Sequence, residues 1–351
     1  MKKRIDSWLK ERIPFNREKS SHIIKEVLLK EPIPKHMKNW FYALGATPLV
    51  LFLFQLVTGV FLTFYYVPSP EGAYESVRHI TQDVEFGFWI RGLHRWASNF
   101  MVIAMMLHVV RVFFTRGYRK PRELNWIVGI LMLVTTLGLC FTGYSLLFNQ
   151  LSYWAATVGT NMIKEVPLIG SSILELLRGG TDVSGNTLTR FYNLHIVFLP
   201  AVLLILIVIH IIMVRLHGVS KLEGYETTEE SYPFYPEHFY HTLVISLFLL
   251  ITISALTVIL PPGLGEEANP AVTPPHIKPE WYFFAVYSIL KILPLRLGIY
   301  LSIAVLIAAT FWPFIEDYIL RKWPGIKANY WIGSIIILLF LFFTLYEIIV
   351  I

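Results

Sequence analysis

Seven long stretches of the chain consist almost entirely of apolar residues. They cover residues 41–67, 89–114, 124–148, 191–214, 239–260, 297–315 and 328–349. A helix rises about 1.5 Å per residue, so about 20 apolar residues cross a hydrocarbon core of about 30 Å. Backbone polar groups in lipid must be paired within their own segment, which favours helices. The pattern predicts an all-α, polytopic membrane protein with seven transmembrane helices.

Composition narrows the class further. Of the 351 residues, 55% are hydrophobic and 15% are charged, which excludes an ordinary soluble globule. The first apolar stretch follows a long basic and polar leader, residues 1–38, so no cleavable signal peptide is predicted. The single cysteine, Cys140, excludes an intrachain disulfide.

The distribution of charge predicts the orientation in the membrane. Lysine and arginine concentrate in the leader and in the loops after the second and sixth stretches, whereas acidic residues dominate residues 68–88. The positive-inside rule therefore predicts a cytoplasmic N-terminus, with residues 1–38 forming a basic segment on the cytoplasmic leaflet. This charge fits attraction to lipid, and no nucleic-acid partner is predicted. The second and fourth stretches then both run from the outer face inward.

Two pairs of histidines lie in those two stretches. His94 and His108 form the first pair, and His195 and His210 form the second, whose interval is longer by a single position. Each pair spans roughly 21–23 Å of helix, with both members on one side within roughly 40–60°. A lone intramembrane histidine is usually a packing residue, but matched pairs favour metal ligands. The pattern predicts two bis-histidine haem sites, His94 with His195 and His108 with His210.

Glycines repeat at the same interval in the first and third stretches. Gly45 and Gly59, and likewise Gly129 and Gly143, have the spacing of His94 and His108. A flat macrocycle between helices needs positions without a side chain. Small residues also serve ordinary helix contacts in membranes, but the repeated interval favours haem contact. The sequence therefore predicts a four-helix bundle around two haems.

Five motifs then carry a resemblance to a known family. They are Arg91-Gly92-Leu93-His94-Arg95-Trp96, His108-Val109-Val110-Arg111, Thr142-Gly143-Tyr144-Ser145, the run from Leu188 to His195, and Pro279-Glu280-Trp281-Tyr282-Phe283. In this order they resemble cytochrome b of the bc-type and bf-type quinol-oxidising complexes, over roughly residues 20–350. The longer interval of the second histidine pair is similar to the chloroplast-type branch, whose four-helix and three-helix parts are separate polypeptides. Here both parts would form one chain of seven helices.

The resemblance implies an organisation and a function. Residues 1–38 would form the surface segment, 39–220 the four-helix di-haem core, and 221–351 the three-helix part. The chain would oxidise quinol on the outer side and pass electrons through two b haems to a quinone site on the inner side, coupled to proton translocation. It would act as the redox subunit of a quinol–cytochrome c reductase of a respiratory chain. It would be active only with a Rieske iron–sulfur protein and a c-type cytochrome subunit, in a homodimeric complex of a prokaryotic energy-transducing membrane.

The resemblance also implies roles for several polar residues. Glu280, among apolar neighbours, would take a proton from quinol, and Tyr282 would hydrogen-bond the bound quinol or quinone. Without the resemblance, the same segment fits an interfacial aromatic belt. The arginines Arg95 and Arg111 would lie near the haem propionates, although helix-end snorkelling and the positive-inside bias suffice to explain most such arginines individually. For an inner quinone site the candidates are Arg215 and His217, and a simple polar helix end stays open as the alternative.

Two departures from the family pattern carry expectations of their own. Ala43 stands where the chloroplast-type branch has a cysteine that anchors an extra c-type haem, so no covalent haem is expected there. Ala155, after Trp154, stands where inhibitor-sensitive members usually carry glycine. The added methyl group narrows the quinol site, and poor inhibition by strobilurin-type compounds is expected.

Two other classes of protein fit part of the pattern. A di-haem membrane anchor of a dehydrogenase would have one quinone site, fewer helices and no segment like residues 279–283. A transporter or scaffold that uses its histidines for protons or packing would bind no haem. The segment around Glu280 discriminates against the first class, and haem content discriminates against the second.

Overall fold

The computed structural model describes residues 2–12, 32–34, 43–218, 220, 231–275 and 277–350. Its helices, numbered in chain order, are α1 (Lys2–Arg12), α2 (Thr47–Thr63), α3 (Ala73–Gln82), α4 (Gly87–Phe114), α5 (Glu123–Ser145), α6 (Gln150–Lys164), α7 (Gly170–Arg178), α8 (Gly185–His217), α9 (Phe239–Ile259), α10 (Phe284–Ile292), α11 (Leu295–Thr310), α12 (Trp312–Lys322) and α13 (Ala328–Ile349). A 3₁₀ turn, Trp281–Phe283, precedes α10, and a π turn, Phe234–His238, precedes α9. Two short strands, β1 (Pro32–Pro34) and β2 (Ser231–Pro233), pair antiparallel.

The predicted all-helical membrane fold is confirmed, with differences in two of the seven stretches. In the part of the chain that the structure describes, five helices are long and apolar enough to cross a membrane, namely α4, α5, α8, α9 and α13. The stretch at 297–315 is divided between α11 and α12, which are bent by 73°. Pro313 lies in the first turn of α12, where a missing backbone N–H is tolerated but a continuous helix is not. The first stretch yields α2, an apolar helix of 17 residues.

Helices α4 and α8 face each other at the centre of the bundle. Helix α2 packs on α4, and α5 packs on α8. The buried apolar core comes from α2, α4, α8 and α9, and includes Leu51, Ala97, Leu203 and Ile253. Many large apolar side chains on the outer surface are exposed, as expected for helices that face lipid.

The two ends of this bundle carry different additional elements. The His94 end is the end where α4 begins, and the His108 end is the opposite one. At the His94 end, α6 and α7 pack together and connect α5 to α8. At the His108 end, α1 is fixed by Arg12, which is buried and donates to Glu123 Oε1 at 2.6 Å.

Candidate functional site

The structure brings the four histidines together in two pairs across α4 and α8. The ring centroids of His94 and His195 are 6.2 Å apart, with 75° between the ring planes. Those of His108 and His210 are 6.4 Å apart, with 72° between the planes. A metal–imidazole bond of about 2 Å on each side, plus a ring radius of about 1 Å, gives a spacing on the order of 6 Å. Each pair therefore has the separation that one bound metal ion requires.

Hydrogen bonds orient the rings of the first pair. His195 Nδ1 donates to the carbonyl of Leu139 at 3.0 Å. His94 Nδ1 lies 2.9 Å from Thr58 Oγ1, whose own proton is given to the carbonyl of Phe54 at 2.6 Å. His94 is therefore the donor to Thr58. Both rings keep Nε2 unprotonated, which is the tautomer of a metal-binding histidine with an outer hydrogen-bond partner.

The second pair is less strictly oriented. Arg111 Nη2 lies 3.4 Å from His108 Nδ1, which is long for a hydrogen bond and does not decide the tautomer. This places Arg111, a predicted haem neighbour, directly beside a histidine of the pair.

Three of the four predicted glycines lie against the histidine rings. A β-carbon at Gly143 would clash with His195 Cε1, far inside van der Waals contact. At Gly59 and Gly129 it would lie 3.4 Å from His94 Cε1 and 3.8 Å from His210 Cε1. Gly45 lies in an exposed turn before α2. The glycines thus keep space free beside the histidines, as a flat macrocycle requires.

A π-helical turn explains the unequal spacing of the two pairs. Residues Leu194–Phe198 of α8 form this turn, which contains His195. A π turn accommodates one extra residue, so the longer histidine interval of α8 matches the shorter interval of the regular α4. Pro200, two residues after this turn, has no N–H to donate to the carbonyl of the preceding turn. This proline is the signal of the irregular turn in the sequence, and the hydropathy pattern does not reveal it.

The side chains that could bind a metal ion show whether each histidine pair fits a haem. Within the described ranges, no group of three or more His, Cys, Asp or Glu side chains could hold a metal ion. Each histidine pair offers two nitrogen ligands on opposite sides. An iron bound there needs its remaining ligands from a macrocycle, for which the glycines leave room. The residues present fit a haem at each pair.

A cavity of about 290 Å³ lies at the His94 end, lined mainly by apolar side chains. Glu280, Tyr144 and Ala155 are among its lining residues. Tyr282, predicted as a second contact residue, is buried at 4% exposure, is in contact with Cys140 and is not among them. Tyr144 therefore occupies the position beside the cavity that the sequence analysis expected of Tyr282.

Glu280 forms an ion pair that the sequence analysis did not anticipate. Arg95 Nη2 donates to Glu280 Oε2 at 2.6 Å, and the Glu280 side chain is 13% exposed. Arg95 was expected near a haem propionate, and Glu280 was expected among apolar neighbours. The two residues are 185 positions apart in sequence, and no local pattern indicates their contact.

The segment around Glu280 is held by further hydrogen bonds. Trp281 Nε1 donates to Asn99 Oδ1 on α4 at 2.7 Å. The Tyr287 hydroxyl donates to the carbonyl of Ile277 at 2.7 Å. The carboxyl group therefore has a fixed place at the edge of the cavity.

The predicted inner-site residues lie together at the His108 end. His217 is the last residue of α8, and its carbonyl accepts from Arg122 Nη2 at 3.0 Å. Arg215 lies within electrostatic reach of His238. Nearby, burial lowers the pKa of Arg122.

Ala43 is the first described residue before α2, and its carbonyl accepts from Thr47 Oγ1 at 3.0 Å.

Comparison with known proteins decides the family. The model described as Cytochrome b/b6/petB matches residues 28–218, and the one described as Cytochrome b(C-terminal)/b6/petD matches residues 267–349. The chain belongs to the cytochrome b family. Parts corresponding to b6 and petD therefore occur in one cytochrome b chain, as the sequence motifs indicated.

Individual relatives agree with this assignment. A cytochrome b6 of Heliobacterium mobile is 44% identical over 214 residues, which cover 61% of this chain and 98% of the relative. A cytochrome b subunit of a cytochrome bc complex from Chlorobaculum thiosulfatiphilum is 36% identical over 301 residues, covering 84% of this chain and 70% of the relative. A chain of a hyperthermophilic respiratory Complex III has a TM-score of 0.74 and 26% identity, covering 97% of this chain and 96% of that one. This cytochrome b is a membrane-embedded subunit of a bc-type redox complex.

Proposed function

We propose that this cytochrome b oxidises quinol at the His94 end and reduces quinone at the His108 end, and that the two reactions together move protons across the membrane. The matched histidine pairs of α4 and α8 carry the proposal. They lie roughly 21 Å apart along the helix. A b-type haem held by each pair would supply one-electron redox chemistry at each depth.

The residues that would hold these haems are the four histidines, with Gly59, Gly129 and Gly143 beside them. Gly45 and Arg111 are further proposed contacts. Thr58 and the Leu139 carbonyl would fix the histidine tautomers of one site. No covalent haem is proposed at Ala43, because an alanine side chain cannot form a thioether bond.

Quinol would bind in the cavity at the His94 end. Its mainly apolar lining suits a quinol ring, and Glu280 supplies a carboxylate for the hydroxyl proton. Arg95 holds this carboxylate in place at the edge of the cavity by a charge-assisted hydrogen bond. Tyr144 would contact the bound ring, whereas Tyr282 would support the wall from behind.

Quinone reduction would take place at the His108 end, near Arg215 and His217. These side chains can donate hydrogen bonds to quinone oxygens, and His217 can deliver a proton. With a cytoplasmic N-terminus in a prokaryotic energy-transducing membrane, this end would face the cytoplasm and the cavity would face the outer side.

The proposed partners follow from what the sequence lacks. The chain has one cysteine, so it cannot hold a cysteine-ligated iron–sulfur cluster. The electron acceptor at the outer side would be a Rieske iron–sulfur protein, followed by a c-type cytochrome subunit. The complex would be a homodimer, and the chain would be catalytically active only within it.

Haem stoichiometry tests the proposal most directly. We expect two b haems per chain in the reduced-minus-oxidised spectrum, both removed by acid–acetone extraction. His94→Ala and His108→Ala should each lose one haem or both. The control is His79→Ala, which removes an exposed histidine of α3 and should keep both haems. A wild-type chain without haem would overturn the redox function, and a haem that survives extraction would contradict the expectation at Ala43.

A further inference from the structure

A buried carboxylate lies on the last helix, away from both histidine pairs. Glu347 of α13 is fully buried, at 0% exposure. Lys291 of α10 donates to both carboxylate oxygens, at 3.0 and 3.3 Å. An ionisable residue within a membrane-spanning helix is costly and usually has a function. The role of Glu347 therefore depends on which segment of the chain its hydrogen-bond partners hold in place.

Those partners lie at both ends of the segment that carries Glu280. Lys278 Nζ donates to the carbonyls of Glu347 at 2.6 Å and Val350 at 3.0 Å. The last carbonyls of a helix carry partial negative charge, so an ammonium group binds there favourably. At the other end, Ser288 Oγ lies 3.1 Å from Glu347 Oε2, beside the Lys291 ion pair. One turn of α13 thus fixes the segment from 278 to 291 at both ends.

The same segment forms one wall of the quinol cavity. Its lining residues are Pro279, Glu280, Phe283, Val286, Tyr287 and Leu290. The residues bound to α13 alternate with these along the segment and do not line the cavity. The position of the Glu280 carboxylate therefore depends on how α10 is seated against α13.

We propose that Glu347 is a positioning residue for quinol oxidation. Through Ser288 and Lys291, its carboxylate holds one end of the segment that presents Glu280 to the cavity, and the backbone carbonyls of the same turn hold the other end through Lys278. This inference rests on the proposed function of the cavity. It assigns a role in the reaction to a residue that touches neither the cavity nor the histidine pairs.

The proposal predicts a kinetic defect without loss of haem. Glu347→Gln keeps the size of the side chain and removes its charge, so Lys291 loses its ion-pair partner. The Lys291 side chain is 43% exposed and can turn to solvent or lipid headgroups, so the fold should survive. A displacement of the Glu280 carboxylate on the order of 1 Å can reduce the rate up to about 100-fold. We expect kcat/KM for quinol to fall between about tenfold and 100-fold, mainly in kcat.

The experiment uses the assembled complex and measures quinol oxidation, haem content and KM for each variant. Glu347→Asp should recover part of the activity. The matched control is Asp317→Asn, which removes the carboxylate of an exposed ion pair with Arg321 on α12 and should leave the kinetics unchanged. Where Glu347→Gln does not assemble, Lys291→Gln, at a half-exposed position, is expected to give the same kinetic defect.

A double-mutant cycle separates positioning from a general structural effect. If Glu347 acts by placing the Glu280 carboxylate, Glu347→Gln should have little further effect on the residual activity of Glu280→Gln. Independent, multiplying effects of the two substitutions would overturn the proposal, as would wild-type kinetics in Glu347→Gln. A wild-type complex that oxidises no quinol would overturn the proposed function itself, and this inference with it.

Discussion

At the scale of single residues, hydroxyl groups decide how the histidines can act. Thr58 and Thr142 both give their protons to carbonyls of their own helices, Phe54 and Gly138. The Thr58 oxygen can then accept from His94 Nδ1 at 2.9 Å. The Nδ1–H of His195 donates to the Leu139 carbonyl at 3.0 Å, and the Thr142 oxygen is its second, longer acceptor at 3.3 Å. Because an N–H bound in this way fixes the tautomer, the opposite nitrogen is available for a metal. The threonines therefore belong to the proposed haem site as much as the glycines do.

Ala155 supports a prediction at the same scale. Its methyl group lines the cavity, so the substitution Ala155→Gly removes a side chain from the proposed quinol site. We expect wild-type activity to resist strobilurin-type inhibitors and Ala155→Gly to become about fivefold more sensitive, since one methyl group contributes on the order of 1 kcal/mol to fit. The measurement is the inhibitor concentration that halves quinol oxidation.

The control is Ala156→Gly, which alters a neighbouring buried alanine that does not line the cavity. It tests whether a glycine anywhere in α6 would change inhibitor binding. Nanomolar inhibition of the wild type would contradict the prediction.

The sequence revealed only part of the site at this scale. Regular spacing identifies the histidines and most of their glycines, because a helix converts sequence intervals into depth and direction. The ion pair of Arg95 with Glu280 is a different kind of contact. It depends on how the segment before α10 folds back onto α4, and hydropathy carries no information on that path. The same limit applies to the tyrosines, because hydropathy does not indicate that Tyr144 lines the cavity, and the quinol contact of Tyr282 stays a prediction.

At the scale of elements, the π turn of α8 compensates for one extra residue. Without it, the residues beyond Phe198 would be rotated by about 100°, and His210 would lie about 60° to one side of His195, whereas His108 lies about 40° to the other side of His94. The turn therefore makes two helices of different spacing present their histidines at matching depths. Hydropathy analysis places both helices correctly, but it cannot detect a change of helical period within the single turn Leu194–Phe198.

Deleting one residue from each helix tests this explanation. Removing Val197 together with Pro200→Ala takes the extra residue out of the π turn and allows a regular α-helix. The histidine interval of α8 then equals that of α4, and we expect both haems to be retained. Removing Ile103 from the regular α4 changes the direction of His108 by about 100°. Val197 and Ile103 are both exposed, so neither deletion removes a buried side chain.

The haem content of each deletion variant, measured by spectroscopy, gives the result. Loss of one haem in the Ile103 deletion and retention of both in the α8 deletion are expected. If the α8 deletion loses a haem while the α4 deletion keeps both, the compensation by the π turn is disproved.

At the scale of the whole molecule, the part of the chain up to α8 is bound to the part from α9 onward at both ends. Near the His94 end, Arg91 donates to the carbonyls of Pro262 and Gly263 at 2.9 and 2.7 Å. At the His108 end, Arg119 donates to both carboxylate oxygens of Glu316, at 3.1 and 3.2 Å. These bonds join residues before position 220 to residues after position 231, and they would hold the two parts together even without a continuous chain.

This organisation predicts that the chain can be divided. Two polypeptides separated between residues 220 and 231 should assemble in the membrane and bind both haems. The Glu316 side chain is 1% exposed, but its partners Arg116 and Arg119 are 13% and 38% exposed, so water screens part of the interaction and Glu316→Gln costs on the order of 1 kcal/mol. In the intact chain the covalent connection keeps the parts together, and we expect the thermal midpoint to fall by roughly 2 °C. In the divided protein, where association depends on the interface alone, the same substitution should reduce co-purification of the two parts.

Glu75→Gln, in an exposed ion pair with Arg78 on α3, serves as the control and should change neither measurement. Equal co-purification with and without Glu316→Gln would show that apolar helix packing suffices to hold the two parts together.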